Sequence, residues 1–127
     1  MELNNYQEQA MTTCMPSSEN FGYMFLNLVG EVGEFASKVA KAIRKDRQEI
    51  VNNELHATYD WIGSVEVDDL KEELKKEAGD VLWQLSGLCT VMGWSLEEVA
   101  QMNLDKLAAR KAVGTIDGSG DGIIRGK

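Results

Sequence analysis

Residues 69–93 read DLKEELKKEAGDVLWQLSGLCTVMG, and this stretch decides the fold. Its apolar residues recur in steps of three and four, which is the spacing of a helix that buries one face. Asp69, followed by Glu72 three residues later, is typical of a helix start, and Gly93 is typical of a C-terminal cap. We therefore expect one long helix here. Its apolar stripe comprises Leu70, Leu74, Ala78, Val81, Leu85, Leu88 and Met92.

An earlier stretch has the same spacing and predicts a second long helix that ends near Lys45. Ser17 and Ser18 offer side-chain oxygens for its N-cap, and only Gly30 and Gly33 interrupt it. Each long helix therefore has one apolar stripe with which it can pack against another helix. The stripe of this helix comprises Phe21, Phe25, Leu28, Val32, Phe35, Val39 and Ile43.

Shorter helices are predicted on either side of the long ones. A polar helix from about Asn4 to Cys14 is expected to end before Pro16. Ser95 and Glu98 form a capping box that opens a last helix. Together these elements predict an all-α fold, a four- to five-helix bundle.

The domain boundaries follow from the same pattern. We expect residues 1–113 to form a single all-α domain and residues 114–127 to form a glycine-rich tail without periodicity. Residues 46–68 are ambiguous. Residues 47–61 fit a further helix, whereas residues 61–68 are typical of a connecting loop.

Composition limits the class of protein. The chain has 127 residues, enough for one domain, and 43% of them are hydrophobic. A chain this short is expected to bury more of its apolar surface by oligomerising. It carries 13 basic and 21 acidic residues, a net charge of -8, whereas proteins that bind the phosphate backbone of nucleic acids present a basic face. We therefore expect no nucleic-acid polymer as a partner.

The two cysteines and the hydropathy of the chain indicate where in the cell the protein is expected. Cys14 and Cys89 cannot form a disulfide framework, so we expect a reduced, cytoplasmic protein, with Cys89 in the core because it lies in an apolar run. The start of the chain is polar and acidic, unlike a signal or transit peptide. No stretch approaches the ~18 consecutive apolar residues of a membrane span, so no membrane partner is expected.

Two carboxylate pairs lie beside the apolar stripes of the long helices. On a helical wheel at about 100° per residue, Glu31 and Glu34 lie about 60° and 120° from Leu28. On the other long helix, Glu77 and Asp80 lie about 40° and 100° from the centre of the stripe. If the stripes pack together, these two flanks can converge.

Converging carboxylates repel one another unless a cation lies between them. All-oxygen ligands suit a hard divalent cation, Mg²⁺ or Mn²⁺. The alternative is that each pair lies on a solvated helix flank, where glutamate is common. The two pairs have matching positions beside their stripes, and both interpretations stay open on this pattern alone.

The last helix changes character along one face. Leu96 and Val99 begin this face, and Asn103, Lys106 and Arg110 continue it. Along this face, apolar side chains are followed by an amide and two cationic side chains. Such a face suits an anionic group, such as a phosphate bridged to metal ions. The alternative is that these long side chains carry their polar ends into solvent at a frayed helix end.

Other catalytic arrangements lack support. His56 is the only histidine, which argues against a di-iron bundle, a zinc site and a Ser-His-Asp triad. The glycine-rich tail does not have the spacing of a phosphate-binding P-loop. Gly30, Gly33 and Ser37 form a small-residue face, and Trp83 points away from its own stripe. Both features indicate contact with another subunit.

Three segments resemble the MazG-like nucleoside triphosphate pyrophosphohydrolases, an all-α superfamily. They are residues 30–34 (GEVGE), residues 77–83 (EAGDVLW) and residues 103–107 (NLDKL), the last together with Arg110. The resemblance covers most of the chain. In many members a doubled glutamate opens the first motif, and this chain has Gly30 at that place.

The resemblance implies a homo-oligomeric enzyme, a dimer or tetramer, that depends on Mg²⁺, with Mn²⁺ as a substitute. It implies hydrolysis of a nucleoside triphosphate between its α and β phosphates, which gives the monophosphate and pyrophosphate. By position, it implies four metal ligands that are also catalytic residues: Glu31, Glu34, Glu77 and Asp80. It further implies a catalytic and phosphate-binding Lys106, a phosphate-binding Arg110, and Asn103 on the sugar or a phosphate.

Two other functions stay open at this point. One is a non-catalytic helical assembly or regulatory module that retains the fold, and the other is a phosphoribosyl-ATP type pyrophosphohydrolase. Retention of all four acidic positions favours an enzyme. The base is not specified, because Tyr6, Tyr23, Tyr59 and Trp61 could each stack on it or could each lie in the core.

Overall fold

The computed structural model describes the backbone of residues 1–58 and 65–114, and the side chains of all these residues except 65–69. Four α-helices make up most of this part of the chain, which confirms the prediction of a mostly helical fold. A 3-10 turn, Pro16–Ser18, separates the first two helices. The other elements are α1 (Leu3–Met11), α2 (Phe21–Arg44), β1 (Gln48–Val51), β2 (Glu54–Ala57), α3 (Val65–Val91) and α4 (Leu96–Ala112).

The region after α2 forms a β-hairpin, so the further helix considered for residues 47–61 is wrong. Val51 of β1 pairs with Glu54 of β2, which leaves Asn52 and Asn53 as a two-residue turn. Both asparagines have positive φ, 54° and 65°. Two-residue hairpin turns require this backbone, and asparagine tolerates it. The Asn-Asn pair is therefore the signal that the helical interpretation overlooked.

α2 and α3 run side by side in opposite directions and form the main interface of the fold. Met24 is fully buried, and its thioether fills the place that a Cβ atom on Gly87 would take. Three residues further along α2, the Asn27 side-chain amide donates a 2.7 Å hydrogen bond to the carbonyl of Gln84, which lies three residues back along α3. These two contacts fix the direction and the register of the helix pair.

The face of α2 that packs on α3 is centred to one side of its apolar stripe. Met24 and Ala42 are buried, and Glu31 and Lys38 are half-buried, whereas Val32 at the centre of the predicted stripe is 52% exposed. Of the stripe itself, Leu28, Phe35 and Val39 are half-buried, so the two stripes meet along only one edge of the α2 stripe. The steric contact and the amide bond described above turn the polar edge of the stripe toward α3.

The rotation of α2 leaves much of its apolar surface uncovered within the described chain. We call this surface the outer face of α2; it comprises Phe21, Phe25, Leu26, Val29 and Val32, all exposed. The stripe of α3 agrees better with prediction, because Leu74 is buried and Leu70, Val81, Leu85 and Leu88 are half-buried. In that stripe, Ala78 and Met92 are exposed.

The side chain of Gln7 connects α1 to the junction of α3 and α4. Gln7 donates hydrogen bonds of 3.0 Å to the Thr90 hydroxyl and to the Trp94 carbonyl. Its own side-chain carbonyl accepts a 2.8 Å hydrogen bond from the Leu96 N–H. Because Gln7 is nearly buried, these three bonds satisfy a polar group that would otherwise destabilise the core.

Trp83 is half-buried and packs against α1 within the chain, while its role in a subunit contact stays a prediction. Its indole N–H donates to the Ala10 carbonyl at 3.1 Å and to the Thr13 hydroxyl at 3.0 Å. α1 ends at Met11, before the predicted end at Cys14. The last carbonyls of a helix lack partners within the helix, and here one of them accepts from the tryptophan.

Several helix ends lie where local sequence signals place them. Gly93 follows α3 with a φ of 76°, the left-handed conformation that glycine adopts at a helix C-terminus. The capping box of Ser95 and Glu98 opens α4. The prediction of a buried Cys89 is also confirmed.

Two predicted helix starts are wrong. The side chain of Asn20, and not Ser17 or Ser18, caps α2, because those serines lie in or before the 3-10 turn that delays the helix. α3 is already helical at Val65, before the predicted start at Asp69. The residues between these two positions include no proline or glycine that would stop the helix.

None of the described helices is both long enough and apolar enough to cross a membrane. The division into a domain of residues 1–113 and a tail of residues 114–127 stays a prediction. Almost all of that tail, from residue 115 onward, lies outside the described part of the chain, as do residues 59–64.

Gly87→Ala is expected to lower the free energy of unfolding by about 1–3 kcal/mol, because the added Cβ would overlap the buried side chain of Met24. Gly79→Ala on the same helix is the matched control. A Cβ there meets no atom within 4 Å, so the better helix propensity of alanine should stabilise by up to about 1 kcal/mol. Urea unfolding of both variants measures the difference. Equal stability changes in the two would contradict the Met24 contact as the constraint on the interface.

Candidate metal centre

Beyond the interhelical amide pair, the interface between α2 and α3 becomes acidic. Glu31 and Glu34 follow along α2, and Asp80 and Glu77 lie opposite them because α3 runs in the other direction. One carboxylate oxygen from each of Glu31, Glu34 and Glu77 lies within 4.8 Å of the other two. The structure thus brings three of the four predicted ligands together. We call these three residues the acidic centre.

The members of the acidic centre differ in burial. Glu31 and Glu77 are half-buried and Glu34 is exposed. The Oε2 atoms of Glu31 and Glu77 are buried, and neither has a hydrogen-bond partner among the described residues. A buried carboxylate oxygen without a donor is destabilising unless a cation compensates it.

Burial and neighbouring charges both act on Glu31. Burial raises the pKa of the Glu31 carboxyl above its ordinary value, and the charges of Glu34, then Asp80, then Glu77 raise it further. Asp80 is exposed and does not belong to the group of three, although its charge acts on Glu31. Burial and the Asp80 charge also raise the pKa of Tyr6 on α1. Asp80 therefore borders the acidic centre on the side of α1.

A lysine lies at the opposite border. Lys38 Nζ is 3.6 Å from Glu77 Oε1 and 3.8 Å from Glu73 Oε2, so one ammonium forms two ion pairs from α2 to α3. The Glu77 side chain is only 13% exposed. The sequence pattern did not identify Lys38 as a residue of the site. The available indication was its position four residues after Glu34, on the same side of the helix.

The donor set of the acidic centre fits a hard divalent cation. Its ligands are all carboxylate oxygens, which Mg²⁺ and Mn²⁺ prefer. Ligands of Mg²⁺ lie at most about 4.2 Å apart across the ion, and the three oxygens here lie within 4.8 Å of one another, so a small inward shift would let one ion contact all three. A cation would also compensate the two buried oxygens and relieve the repulsion that acts on Glu31.

The predicted phosphate-binding residues lie on α4. Leu96 is buried and Val99 is half-buried at the start of this helix, whereas Asn103 and Lys106 are exposed and Arg110 is half-buried. The roles of these three polar residues stay predictions.

The candidates for contact with a base are placed differently. Tyr6 is half-buried and Tyr23 is exposed, while Tyr59 and Trp61 lie outside the described residues. His56 lies on the hairpin, where its Nε2 is 3.3 Å from a carboxylate oxygen of Glu54. The side chains of both residues are exposed.

Sequence analysis also overlooked the interhelical amide pair. Asn27 and Gln84 both lie on the flanks that carry the carboxylates, and the Gln84 side chain is buried. An amide on the carboxylate flank of each helix was the available signal, since two buried amides can satisfy each other. Their bond aligns the two acidic flanks.

A mostly helical chain with an acidic centre between its two long helices is consistent with the resemblance noted in the sequence. The family model of the MazG nucleotide pyrophosphohydrolase domain matches residues 20–114, from the N-cap of α2 to the end of α4. The chain belongs to this family. It is 36% identical over 128 residues to the Gene 37 protein of Mycobacterium phage L5, and the match covers 95% of this chain and 98% of the phage protein. No solved structure gives a significant match.

Glu31→Gln is expected to stabilise the metal-free protein by about 1 kcal/mol near neutral pH, because it removes the charge that burial and three carboxylates oppose. The raised pKa sets the pH dependence. The Glu31 charge opposes folding fully above its raised folded pKa, so the advantage of glutamine should decline as the pH falls through that value and be lost below the ordinary pKa of the unfolded chain. Denaturant unfolding in EDTA over a pH series measures this effect.

Glu8→Gln is the matched control, since Glu8 is an exposed residue of α1. Its effect should stay within about ±0.5 kcal/mol at every pH. A destabilised Glu31→Gln protein near neutral pH would mean that the Glu31 charge has a favourable partner and that the acidic centre is not repulsive.

Proposed function

We propose that this protein is a divalent-metal-dependent nucleoside triphosphate pyrophosphohydrolase. It hydrolyses a ribo- or deoxyribonucleoside triphosphate between the α and β phosphates and releases a nucleoside monophosphate and pyrophosphate. One observation carries the proposal: Glu31, Glu34 and Glu77 converge between the two long helices of a MazG-family domain. The proposed cation is Mg²⁺, with Mn²⁺ as a substitute.

The four carboxylates have different tasks in this proposal. Glu31, Glu34 and Glu77 hold the cation, and Asp80 completes the set from the border of the centre. When bound, the cation neutralises phosphate charge and activates water. Water attacks the α phosphorus, the bond from that phosphorus to the α–β bridging oxygen breaks, and a carboxylate of the site accepts the proton from water.

The substrate is a polyanion, and the net charge of the protein is -8. Binding therefore needs local positive charge in addition to the cation. We assign this task to Lys106 and Arg110 on α4, with Asn103 on the sugar or a phosphate. Lys106 is also proposed as catalytic, because its ammonium would stabilise charge that develops on the phosphates.

A homo-oligomer, a dimer or tetramer, is part of the proposal. The outer face of α2 presents adjacent exposed apolar residues, and the rings of Phe21 and Phe25 stack there with centroids 5.6 Å apart. Contiguous apolar surface of this kind marks an interaction site. A Cβ at Gly33 would meet no atom within 4 Å, so a second helix can approach closely there. We further propose a cytoplasmic location and no nucleic-acid or membrane partner.

The first test is product analysis with a panel of ribo- and deoxyribonucleoside triphosphates. Pyrophosphate and the monophosphate should appear with Mg²⁺ or Mn²⁺, and turnover should stop in EDTA. Glu77→Gln should lower kcat/KM by at least about 100-fold, since changes in residues that only support metal ligands already cost about 10–100-fold. Glu72→Gln, on the exposed side of the same helix, should leave kcat/KM nearly unchanged.

Orthophosphate as the first product, or full activity in EDTA, would contradict the proposed reaction. No turnover of any nucleotide, including phosphoribosyl-ATP, would favour the non-catalytic module. Pyrophosphate release from phosphoribosyl-ATP alone would identify the other pyrophosphohydrolase type.

The oligomer is tested at Val29, which is 60% exposed on the outer face of α2. Val29→Glu should dissociate the oligomer, because it places a charge in an apolar interface. Met102→Glu on α4 changes a residue that is 70% exposed outside this face and should leave the assembly intact. Light scattering measures both masses. A monomeric wild-type protein at micromolar concentration would contradict the proposed interface.

A further inference from the structure

Lys38 forms the described ion pairs between α2 and α3. Its Nζ lies 3.6 Å from Glu77 of the acidic centre and 3.8 Å from Glu73, which lies outside the centre. The other lysine–glutamate pair of the described side chains, Lys75 with Glu72 at 3.0 Å, lies within α3 on its exposed side. The ammonium of Lys38 is therefore placed where two helices bring like charges together.

The two oxygens of Glu77 have different surroundings. Oε1 faces the Lys38 ammonium, and Oε2 is buried without a hydrogen-bond partner among the described residues. Without a metal, Lys38 offsets the repulsion that the carboxylates of α2 and α3 exert on one another. A divalent cation would offset the same repulsion with twice the charge. The cation and the ammonium would then repel each other across one carboxylate.

We propose that Lys38 is the internal counter-ion of the metal centre: it pairs with Glu77 when the centre holds no metal, and it is released from this pair when a divalent cation binds. The proposal rests on the metal site of the proposed function and adds a positioning residue to it. Lys38 holds the carboxylate flank of α3 against α2 in the metal-free protein. Metal affinity is correspondingly lower than the carboxylates alone would give, because binding must break this ion pair.

The first experiment follows the ammonium in the unmodified protein. A lysine released from an ion pair is more available to an acylating reagent, so brief acetylation with mass-spectrometric readout should modify Lys38 more in Mg²⁺ than in EDTA. Lys75 is the control within the same sample, because its pair lies away from the acidic centre. Equal or lower modification of Lys38 in Mg²⁺ would overturn the release.

The second experiment compares three variants by calorimetric Mg²⁺ titration and by melting in EDTA. Lys38→Met should melt at a lower temperature in EDTA and should bind Mg²⁺ about two- to fivefold more tightly, the factor that corresponds to one partly exposed ion pair. Lys75→Met should bind Mg²⁺ like the wild type. Lys38→Arg keeps the charge and should restore the wild-type melting temperature.

Unchanged or weaker Mg²⁺ binding by Lys38→Met would overturn the counter-ion role. Wild-type protein that binds no Mg²⁺ would overturn it together with the metal site. Neither experiment uses a nucleotide. Failure of the proposed hydrolysis, seen as an absence of pyrophosphate release, is therefore distinguishable from failure of this inference.

Discussion

The contact of Met24 with Gly87 is the constraint on which the rest of the structure depends. A thioether that lies directly over a glycine brings the axes of α2 and α3 close together at one point and allows only one rotation of α2 there. The hydrogen bond from Asn27 to Gln84, three residues further along, then sets the register. With this direction and register, Glu31 and Glu34 lie opposite Glu77. The acidic centre is thus a consequence of apolar packing and one amide bond at the neighbouring end of the interface.

This arrangement separates the two edges of the α2 stripe. The polar edge faces α3, where burial and then neighbouring carboxylates raise the pKa of Glu31, and two carboxylate oxygens are buried without hydrogen-bond partners among the described residues. The apolar edge faces outward and forms the outer face of α2. The proposed cation would offset the charge at the inner edge, and the proposed second chain would cover the outer face of α2.

Those features of the fold that depend only on neighbouring residues could be predicted from the sequence. The capping box at Ser95 and the glycine cap at Gly93 need only neighbouring residues, and both were predictable. The rotation of α2 about its own axis was not predictable. Its apolar arc is wide enough to pack by either edge, and contact with Gly87, more than fifty residues away in sequence, determines which edge packs. The partners of Trp83 on α1 are equally distant in sequence. For the candidate site, spacing identified the carboxylates, but the ion pairs of Lys38 depend on the register and became visible only in the structure.

The N-terminal helix α1 contacts both α3 and α4 and thereby links the position of α4 to that of the α2–α3 pair. Gln7 bonds to the last turn of α3 and to the first N–H group of α4, and the Asn4 side chain accepts a hydrogen bond from the next N–H, that of Glu97. The free N–H groups at the start of α4 are thus satisfied by α1 and by the Ser95 cap. The direction in which α4 leaves the junction is therefore set by α1. Since α4 carries the proposed phosphate-binding cations and α3 carries Glu77, a short polar helix governs the relation between the two halves of the proposed site.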